Sequence, residues 1–286
     1  MTGAGFDIAI DVSHHQGAID WLRVREAGIL IAMIKATEGA TFVDPRFFAA
    51  NRAQAVHAGI AVIPYHFLRP GRVAEQVKHF ANVIGLAPGA PYALDWEGRA
   101  SETATALEVA AIGAMLADIA GRPPLGYWGI PGSTPAAPEG AMFTWPRWVP
   151  RYPTRGAAAW AKVDAQYRDH CGAWWKTGAP FARPLFAQYT DTGRVDGIVS
   201  LVDRSVAFFD SEAAALAWCR GEAAAPTVAT GDRRELLEDV IADLRRAQER
   251  LKKLKIYTGD IDGKFGKDSS AAAMAAWREL KAAGGV

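Results

Sequence analysis

The feature of this sequence that most constrains its fold is a repeated alternation of short apolar segments with polar or helix-like ones. Several of the apolar segments are continuous hydrophobic runs, which is typical of parallel strands buried on both faces. The candidate strands are Phe6–Val12, Leu30–Lys35, Ile60–Phe67, Tyr92–Trp96, Leu125–Trp128, Arg147–Pro150, Pro184–Tyr189 and Val202–Phe208. The candidate helices are Pro45–Ala58, Arg72–Ile84 and Ala104–Ala120. This order predicts an α/β fold of the TIM-like (β/α) barrel kind. The Pro- and Gly-rich stretch Ile130–Met142 is interpreted as a loop that makes the barrel irregular.

A change in composition separates a second, smaller region from the barrel. Residues Gly221–Thr230 are small and turn-prone without apolar periodicity, which is typical of a linker. Apolar residues then recur at helical spacing over Arg234–Lys255, and a second helix is predicted over Ser269–Ala283. A coiled-coil tail is disfavoured because the apolar stripe is too short. The predicted organisation is a barrel at 1–220, a linker at 221–231 and a small all-α domain at 232–286.

Composition argues against several classes of protein. A formal net charge of +1 on 286 residues gives no basis for binding nucleic acid or an anionic membrane surface. No apolar run reaches the length of a membrane span, so we expect no membrane insertion. The two cysteines, Cys171 and Cys219, lack a metal-binding or redox spacing; buried thiols are expected, with a single disulfide left open. The ten tryptophans indicate either core packing or an aromatic-lined cleft.

The segment best suited to carry chemistry is Asp95-Trp96-Glu97, at the end of a predicted strand. Residues i and i+2 of a strand point to the same face, so Asp95 and Glu97 are expected side by side at the mouth of the barrel. Because two neighbouring carboxyl groups do not ionise independently, the pKa of one of them should be raised. A protonated carboxyl beside an ionised one is the arrangement that glycoside cleavage needs. Two solvated loop carboxylates are the alternative interpretation.

Two further predicted strands end in acidic residues. Asp11 ends the first strand, and Glu38 follows Lys35 at the end of the second. The simpler interpretations are a helix cap at Asp11, an ion pair at Lys35 and a surface position for Glu38. Because burial of an unpartnered carboxylate is unfavourable, the three strand ends together favour a shared acidic floor. The adjacent His14 and His15 have no carboxylate at matching ligand spacing, so we expect neither a metal nor another cofactor.

Taken in order, these motifs resemble the signature of the glycoside hydrolase family 25 lysozymes, muramidases that are common among phage endolysins. The matching segments are Asp11-Val-Ser-His-His-Gln-Gly-x-Ile-Asp-Trp21, Lys35-Ala-Thr-Glu-Gly-Ala-Thr-Phe-Val-Asp44, Pro64-Tyr-His-Phe67, Asp95-Trp-Glu97 and Gln188-Tyr-Thr-x-x-Gly-x-Val195. The resemblance covers residues 6 to 210, with departures at Gly129–Met142 and Val202-Asp203-Arg-Ser. It implies an irregular eight-stranded barrel that hydrolyses the β-1,4 bond between N-acetylmuramic acid and N-acetylglucosamine in bacterial peptidoglycan.

The same resemblance implies roles for individual residues. Glu97 matches the general acid, Asp95 its partner carboxylate and Asp11 the family's other essential acid. The side chains implied to bind the sugar chain are Glu38, Tyr65, Trp148, Tyr152, Gln188 and Asp203. The sequence leaves two mechanisms open: direct attack by Asp95 or Asp11 on the anomeric carbon, and attack by the substrate's own N-acetyl oxygen with Asp95 orienting it. Both give retention of configuration, and the assisted mechanism is our hypothesis.

The C-terminal region resembles the small three-helix peptidoglycan-binding domain. The matching segments are Ala247-Gln-x-x-Leu251-x-x-Leu254 and Tyr257-x-Gly-x-Ile-Asp262-Gly-x-Phe-Gly266, with Trp277 where an aromatic residue is usual. Peptidoglycan is thus the expected partner, and we expect a monomer. The N-terminal residues show no basic start followed by an apolar stretch, so no signal peptide is visible. We expect synthesis in the cytoplasm and delivery to the cell wall through a holin pore or another non-Sec route.

Three rival functions are weighed against a muramidase. A non-catalytic wall-binding protein on a degenerate barrel is disfavoured because all four carboxyl groups that the family uses are present. A barrel glycosidase acting on chitin shares Asp-x-Glu but leaves the first two strand-end motifs unexplained. An amidase needs a zinc constellation or a nucleophile pair, and the sequence shows neither.

Overall fold

The computed structural model describes residues 5–44, 47–98, 102–128, 142, 144–150, 152 and 184–222. The chain divides into two units, Met1–Pro226 and Thr227–Val286, and every described residue belongs to the first. The predicted C-terminal helices, most of the predicted loop at 130–142, and Cys171 lie outside the described residues. Within the described part of the chain, no helix combines the length and apolar character needed to cross a membrane.

The described strands form one closed sheet. They are β1 (Phe6–Val12), β2 (Ile31–Glu38), β3 (Phe42–Val43), β4 (Ala61–Phe67), β5 (Ala93–Asp95), β6 (Leu125–Tyr127), β7 (Arg147–Pro150), β8 (Phe186–Gly193) and β9 (Val202–Ala207). The hydrogen-bonded order is β1-β9-β8-β7-β6-β5-β4-β2-β3, and β1 also pairs with β2, which closes the ring. The two-residue β3 pairs only with β2, so eight strands make the barrel. Each of the eight predicted strands overlaps one of them, and the predicted irregular α/β barrel is confirmed.

The last strand of the barrel reverses direction. Neighbours from β1 through β2 and β4 to β8 are parallel, whereas β9 is antiparallel to both β8 and β1. Only residues 194–201 connect β8 to β9, with no helix among them. Parallel strands need a crossover of about a dozen residues or more, so this short connection dictates the antiparallel pairing.

The described helices lie between the strands, and several begin at a side-chain cap. They are α1 (Trp21–Glu26), α2 (Phe48–His57), α3 (Val73–Ile84), α4 (Ala106–Ala120) and α5 (Glu212–Cys219), with a short 3-10 helix at His14–Gln16. The helix predicted from Ala104 begins two residues later, because Thr105 caps α4 and forms a capping box with Glu108. The helices α1 and α5 were not predicted. Each is short, with Asp20 or Ser211 as its cap.

All the described tryptophan side chains are buried, and two of them, Trp148 and Trp218, belong to the main hydrophobic core. The six tryptophans among the described residues, all under 4% exposed, are Trp21, Trp96, Trp128, Trp145, Trp148 and Trp218. Gly126 of β6 makes room for one of them, since a Cβ added there would lie 1.8 Å from Trp128 Cζ3. Cys219 is buried and free. For the described tryptophans, core packing is therefore the prevailing role, and only Trp148 also reaches the cavity described next.

Candidate active site

An acidic cavity of about 320 Å³ opens where the parallel strands end, the position at which barrel enzymes place their active sites. Eight of the nine predicted site residues line it: Asp11, Tyr65, Asp95, Glu97, Trp148, Tyr152, Gln188 and Asp203. The ninth, Glu38, lines a neighbouring cavity of about 420 Å³. The barrel therefore brings together residues that are up to 192 positions apart in the sequence (11 to 203).

Two aspartates face each other on one side of the acidic cavity. Asp11 of β1 and Asp203 of β9 are register partners, and Gln188 Nε2 donates a hydrogen bond to Asp11 Oδ2 at 2.9 Å. Burial, followed by the charge of Asp203, raises the pKa of Asp11 well above its ordinary value. Burial raises the pKa of Asp203 to about 6, although its hydrogen bond with Asp11 lowers it. The two carboxyl groups therefore titrate as a pair, and the pKa values of both are raised.

The second carboxyl pair lies at the end of β5. Asp95 is the last residue of the strand, and Glu97 follows two positions later. Burial, followed by the charge of Glu97, raises the pKa of Asp95 well above its ordinary value, and burial raises the pKa of Glu97. Repulsion alone was expected to raise one pKa; the larger cause is burial, and it acts on both. Asp95 Oδ1 is buried and has no hydrogen-bond partner among the described residues, which is unusual outside functional sites.

Aromatic side chains hold Gln188 in place above the aspartates. The hydroxyls of Tyr127 and Tyr152 both donate to Gln188 Oε1, at 2.7 Å and 2.5 Å. Trp148 is 2% exposed, donates its indole N–H to Ser205 Oγ at 3.0 Å, and packs its ring 4.4 Å from that of Tyr127. Trp148 therefore supports the cavity floor rather than offering an open face, whereas Tyr152 is 40% exposed and accessible to a ligand.

Tyr127 lines the cavity and was not predicted from the sequence. It ends β6 in the same way that Asp95 ends β5, and burial raises the pKa of its hydroxyl well above the ordinary value. The signal that could have found it is a polar residue at the C-terminal end of an apolar strand. Tyr127 shows that a hydroxyl, as well as a carboxylate, can occupy this position.

The end of the second strand corrects the expected acidic floor. Glu38 Oε2 accepts from Lys35 Nζ at 2.6 Å, and Glu38 Oε1 accepts from Arg69 Nε and Nη2 at 2.8 Å and 2.6 Å. Burial opposes ionisation of Glu38, but the hydrogen bonds from Lys35 and then Arg69 lower its pKa. The acidic floor therefore comprises the Asp11, Asp95, Glu97 and Asp203 carboxyls and excludes Glu38, because two cations neutralise it.

Lys35 is nonetheless part of the acidic cavity. It lines that cavity, and its charge lowers the pKa values of both Asp95 and Glu97. The ring of Phe67 contacts both cations, with Lys35 Nζ 4.7 Å and Arg69 Cζ 4.8 Å from its centroid. Glu38 and Phe67 thus fix the position from which the charge of Lys35 acts on the Asp95 and Glu97 carboxyl groups.

The histidine pair has a structural explanation. Ser13 caps the 3-10 helix through His15 N and forms a capping box with Gln16, so the helix-cap interpretation of Asp11 is wrong. His14 Nδ1 hydrogen-bonds Asp44 Oδ2 at 3.1 Å, and the rings of His14 and His15 lie 4.0 Å apart. Among the described residues, no group of three histidine, cysteine or acidic side chains is placed to hold a metal ion.

A closed eight-stranded barrel whose mouth carries four carboxyl groups of raised pKa defines a barrel glycoside hydrolase. The sequence model of glycosyl hydrolases family 25 matches residues 10–198. The chain belongs to this family, and the family resemblance predicted from the motifs is confirmed.

Known proteins support the same assignment. Lysozyme M1 from Streptomyces globisporus is 48% identical over 75 residues, which cover 26% of this chain and 25% of that protein. The Escherichia coli O157:H7 protein YegX is 33% identical over 207 residues, 69% of this chain and 68% of YegX. The crystal structure of the bacterial lysozyme from Streptomyces coelicolor shares 28% identity with a TM-score of 0.59, covering 78% of this chain and all of that one. The match to Lysozyme M1 thus spans a quarter of its length.

Proposed function

We propose that this protein is a muramidase that hydrolyses the β-1,4 bond between N-acetylmuramic acid and N-acetylglucosamine in bacterial peptidoglycan. The observation that carries the proposal is the Asp95–Glu97 pair at the end of β5, in which burial raises both pKa values. A raised pKa keeps a carboxylic acid protonated closer to neutrality, which is the state that protonates a leaving oxygen. The lysozyme names of two relatives support the substrate class.

In the proposed mechanism Glu97 is the general acid. It is less buried than Asp95, so a glycosidic oxygen can reach its carboxyl group. Asp95 and Glu97 titrate as a pair, and the charge of Lys35 keeps one of the two ionised by lowering both pKa values. Asp95 Oδ1, which has no partner among the described residues, is suited to accept the N–H of the substrate's N-acetyl group. That hydrogen bond orients the acetyl oxygen for attack on the anomeric carbon and gives retention of configuration.

The other side of the cavity binds the sugar in this proposal. Gln188 holds Asp11 through its amide nitrogen, and its amide oxygen is fixed by two tyrosine hydroxyls. Tyr65 completes the wall; burial, then the charge of Asp95, raises the pKa of its hydroxyl, which therefore stays protonated as a donor. Asp11 and Asp203 supply carboxyl oxygens that accept hydrogen bonds from sugar hydroxyls.

A digest of purified peptidoglycan tests the reaction and the bond. Wild type, Glu97→Gln and the exposed control Glu26→Gln are incubated with wall material, and new sugar ends are reduced before mass spectrometry. New muramitol ends from wild type and the control, and almost none from Glu97→Gln, are the expected result. Glucosaminitol ends would show that the enzyme hydrolyses the bond after N-acetylglucosamine instead. No new ends on walls of several types would leave a non-catalytic wall-binding protein.

Two measurements test the assisted mechanism. NMR of the first product should show the β anomer; an α anomer would exclude retention. A thiazoline analogue of N-acetylmuramic acid mimics the cyclised acetamido intermediate, so it should inhibit an assisted enzyme strongly. Absence of inhibition, together with trapping of a glycosyl ester on Asp95 or Asp11, would establish direct attack instead.

We also propose that the C-terminal region, 232–286, binds peptidoglycan and that the protein acts at the cell wall as a monomer, in the manner of a phage endolysin released from the cytoplasm. The motif around Tyr257–Gly266 and Trp277 supports this proposal. In the full chain, Trp277→Ala should weaken sedimentation with purified walls while leaving cleavage of soluble glycan fragments intact. Light scattering after size exclusion should give the mass of one chain, 30.7 kDa.

A further inference from the structure

The neighbouring cavity differs in charge from the acidic cavity that it adjoins. Its lining includes Arg69 and Arg72 with one carboxylate, Glu38, whereas the lining of the acidic cavity has four carboxyl groups and one lysine. The two linings touch, because Glu38 of one and Lys35 of the other are 2.6 Å apart. An anionic group is therefore repelled by the acidic cavity and attracted by the neighbouring cavity that adjoins it.

Of the two arginines, Arg72 is the one available to a ligand. The guanidinium of Arg69 bonds Glu38 through Nε and Nη2 and the carbonyl of Glu102 through Nη1. Arg72 makes an ion pair with Glu75 at 3.7 Å, and both of those side chains are more than half exposed. An exposed pair of this kind contributes little, so a ligand carboxylate can replace Glu75 with little loss of free energy.

The segment that presents Arg72 is fixed rather than loose. Buried Gln76 accepts from Arg69 N at 3.1 Å and donates to the carbonyls of Arg69 and Gly71, at 2.8 Å and 2.5 Å. Glu108 accepts from Gly71 N at 2.8 Å. Arg72 itself has φ +51°, the left-handed region, and among the described residues it is the one non-glycine there. A site whose backbone is already ordered loses less entropy on binding.

We propose that the neighbouring cavity binds a carboxylate of the peptide branch carried by N-acetylmuramic acid, with Arg72 as its partner. This inference rests on the proposed muramidase function, because only a glycan bound in the acidic cavity brings such a branch to the adjoining one. The half-exposed ring of Phe42, 42% accessible at the rim, offers an apolar surface for the branch. The expected ligand is an acidic peptide attached to the sugar rather than a further sugar unit.

The test compares kcat/KM on three forms of one soluble glycan. The first carries its peptides, the second has lost them to an amidase and has had the newly exposed lactyl carboxylate amidated, and the third carries peptides whose carboxylates have been amidated with carbodiimide and ammonia. Wild type should prefer the first over the second by about fivefold, the size expected for one partly exposed charge pair. The kcat/KM of wild type on the third form should equal that on the second. High salt should reduce the preference, because it screens exposed charges.

Variants assign the preference to the side chain. Arg72→Asn removes the charge, and asparagine tolerates a positive φ. The ratio of kcat/KM on the peptide-bearing glycan to that on the peptide-free glycan should fall close to one in this variant. Arg72→Lys should restore most of the preference, and Arg25→Gln, an exposed arginine that lines neither cavity, should behave as wild type. An unchanged ratio in Arg72→Asn, in a protein that cleaves both glycans, would overturn this inference and leave the muramidase proposal standing. Failure of wild type to cleave any of the three forms would overturn both.

Discussion

The acidic cavity and the neighbouring cavity share a wall, yet they are built in opposite ways. The first is lined by residues of all eight strands of the ring, and its carboxyl groups are buried, so their pKa values rise. The second is lined largely by the segments after β2 and β4, and its most available charge is exposed. The comparison teaches that burial tunes a group for proton transfer, whereas exposure keeps a charge free to bind an opposite one.

The shared wall between the two cavities consists of Lys35 and Glu38. Lys35 lines the acidic cavity, Glu38 lines the neighbouring cavity, and a hydrogen bond of 2.6 Å joins the two side chains. Opposite pKa shifts follow: the pKa of Glu38 is lowered, while those of Asp95 and Glu97 are raised. Each prediction below perturbs one cavity or this wall and asks whether the other cavity responds.

The largest expected effect comes from the acidic cavity. Asp95→Asn should lower kcat on peptidoglycan by about a thousandfold, since it removes a charge that stabilises the transition state. The preference for peptide-bearing glycan, which depends on Arg72, should persist in the residual activity. The matched control is Asp196→Asn, an exposed aspartate outside both linings. Full activity of Asp95→Asn would remove Asp95 from the mechanism.

The next effect concerns the support of the neighbouring cavity. Gln76→Leu leaves several buried polar partners without a hydrogen bond, among them Arg69 N and His66 Nε2. The free energy of unfolding should fall by about 3 kcal/mol in a denaturant titration. The exposed Gln54→Leu should change it little. If the free energy of unfolding falls as little as in the control, the segment from Arg69 to Arg72 is held by contacts other than those of Gln76.

The raised pKa of Asp95 should also make the free energy of unfolding depend on pH. A group whose folded pKa is raised stabilises the folded state at low pH, and that contribution is lost as the pH rises through the folded pKa. Because the pKa of Asp95 is raised, Asp95→Asn should be more stable than wild type at pH 8, by about 2 kcal/mol, and the difference should shrink as the pH falls and vanish at about pH 3, below the pKa of an unfolded aspartate. Denaturant titrations at the two pH values measure this. Equal stability at pH 8 would contradict the burial of an ionisable Asp95.

A smaller effect comes from the shared wall. Glu38→Gln frees Lys35 to act more fully on the acidic pair and removes a negative charge that itself raises the pKa of Asp95. Both changes lower the pKa values of the pair, so the alkaline limb of the rate profile should move to lower pH, with kcat/KM reduced about tenfold. Glu38→Asp should restore part of the profile, and Glu222→Gln should leave it as in wild type. A fall in rate with an unmoved profile would make Glu38 a substrate-binding residue, as the family resemblance implied.

The smallest effect is a gain. Arg72→Gly relieves the cost of a non-glycine residue at positive φ, offset in part by the greater freedom of glycine in the unfolded chain. The free energy of unfolding should rise by about 0.5 kcal/mol, while the preference for peptide-bearing glycan is lost. In contrast, Arg25→Gly within α1 should lower stability by about 1 kcal/mol. A loss of stability in Arg72→Gly would mean that the side chain supports the fold rather than a ligand.

Most of the barrel was predictable from the sequence because parallel strands buried on both faces consist of continuous apolar runs. All eight ring strands appear there, and the strand-end rule found Asp11 and Asp95. The expectation of polar residues at strand ends did not identify Tyr127, because its large ring is typical of a core residue. It also placed Glu38 in the acidic floor, because its partner Arg69 is 31 positions away in the sequence. Local pattern carries no information about such a distant contact.

The sequence by itself determined the order of strands, the acidic residues at their ends and the family, since each of these depends on local periodicity or on a short motif. Only the tertiary structure decided which carboxyl groups share a cavity, which are neutralised and which keep a proton. It also decided that a cavity lined by two arginines adjoins the acidic one. The physical reason is that pKa values and charge complementarity depend on burial and on partners brought together by barrel closure, and neither is encoded within any one segment.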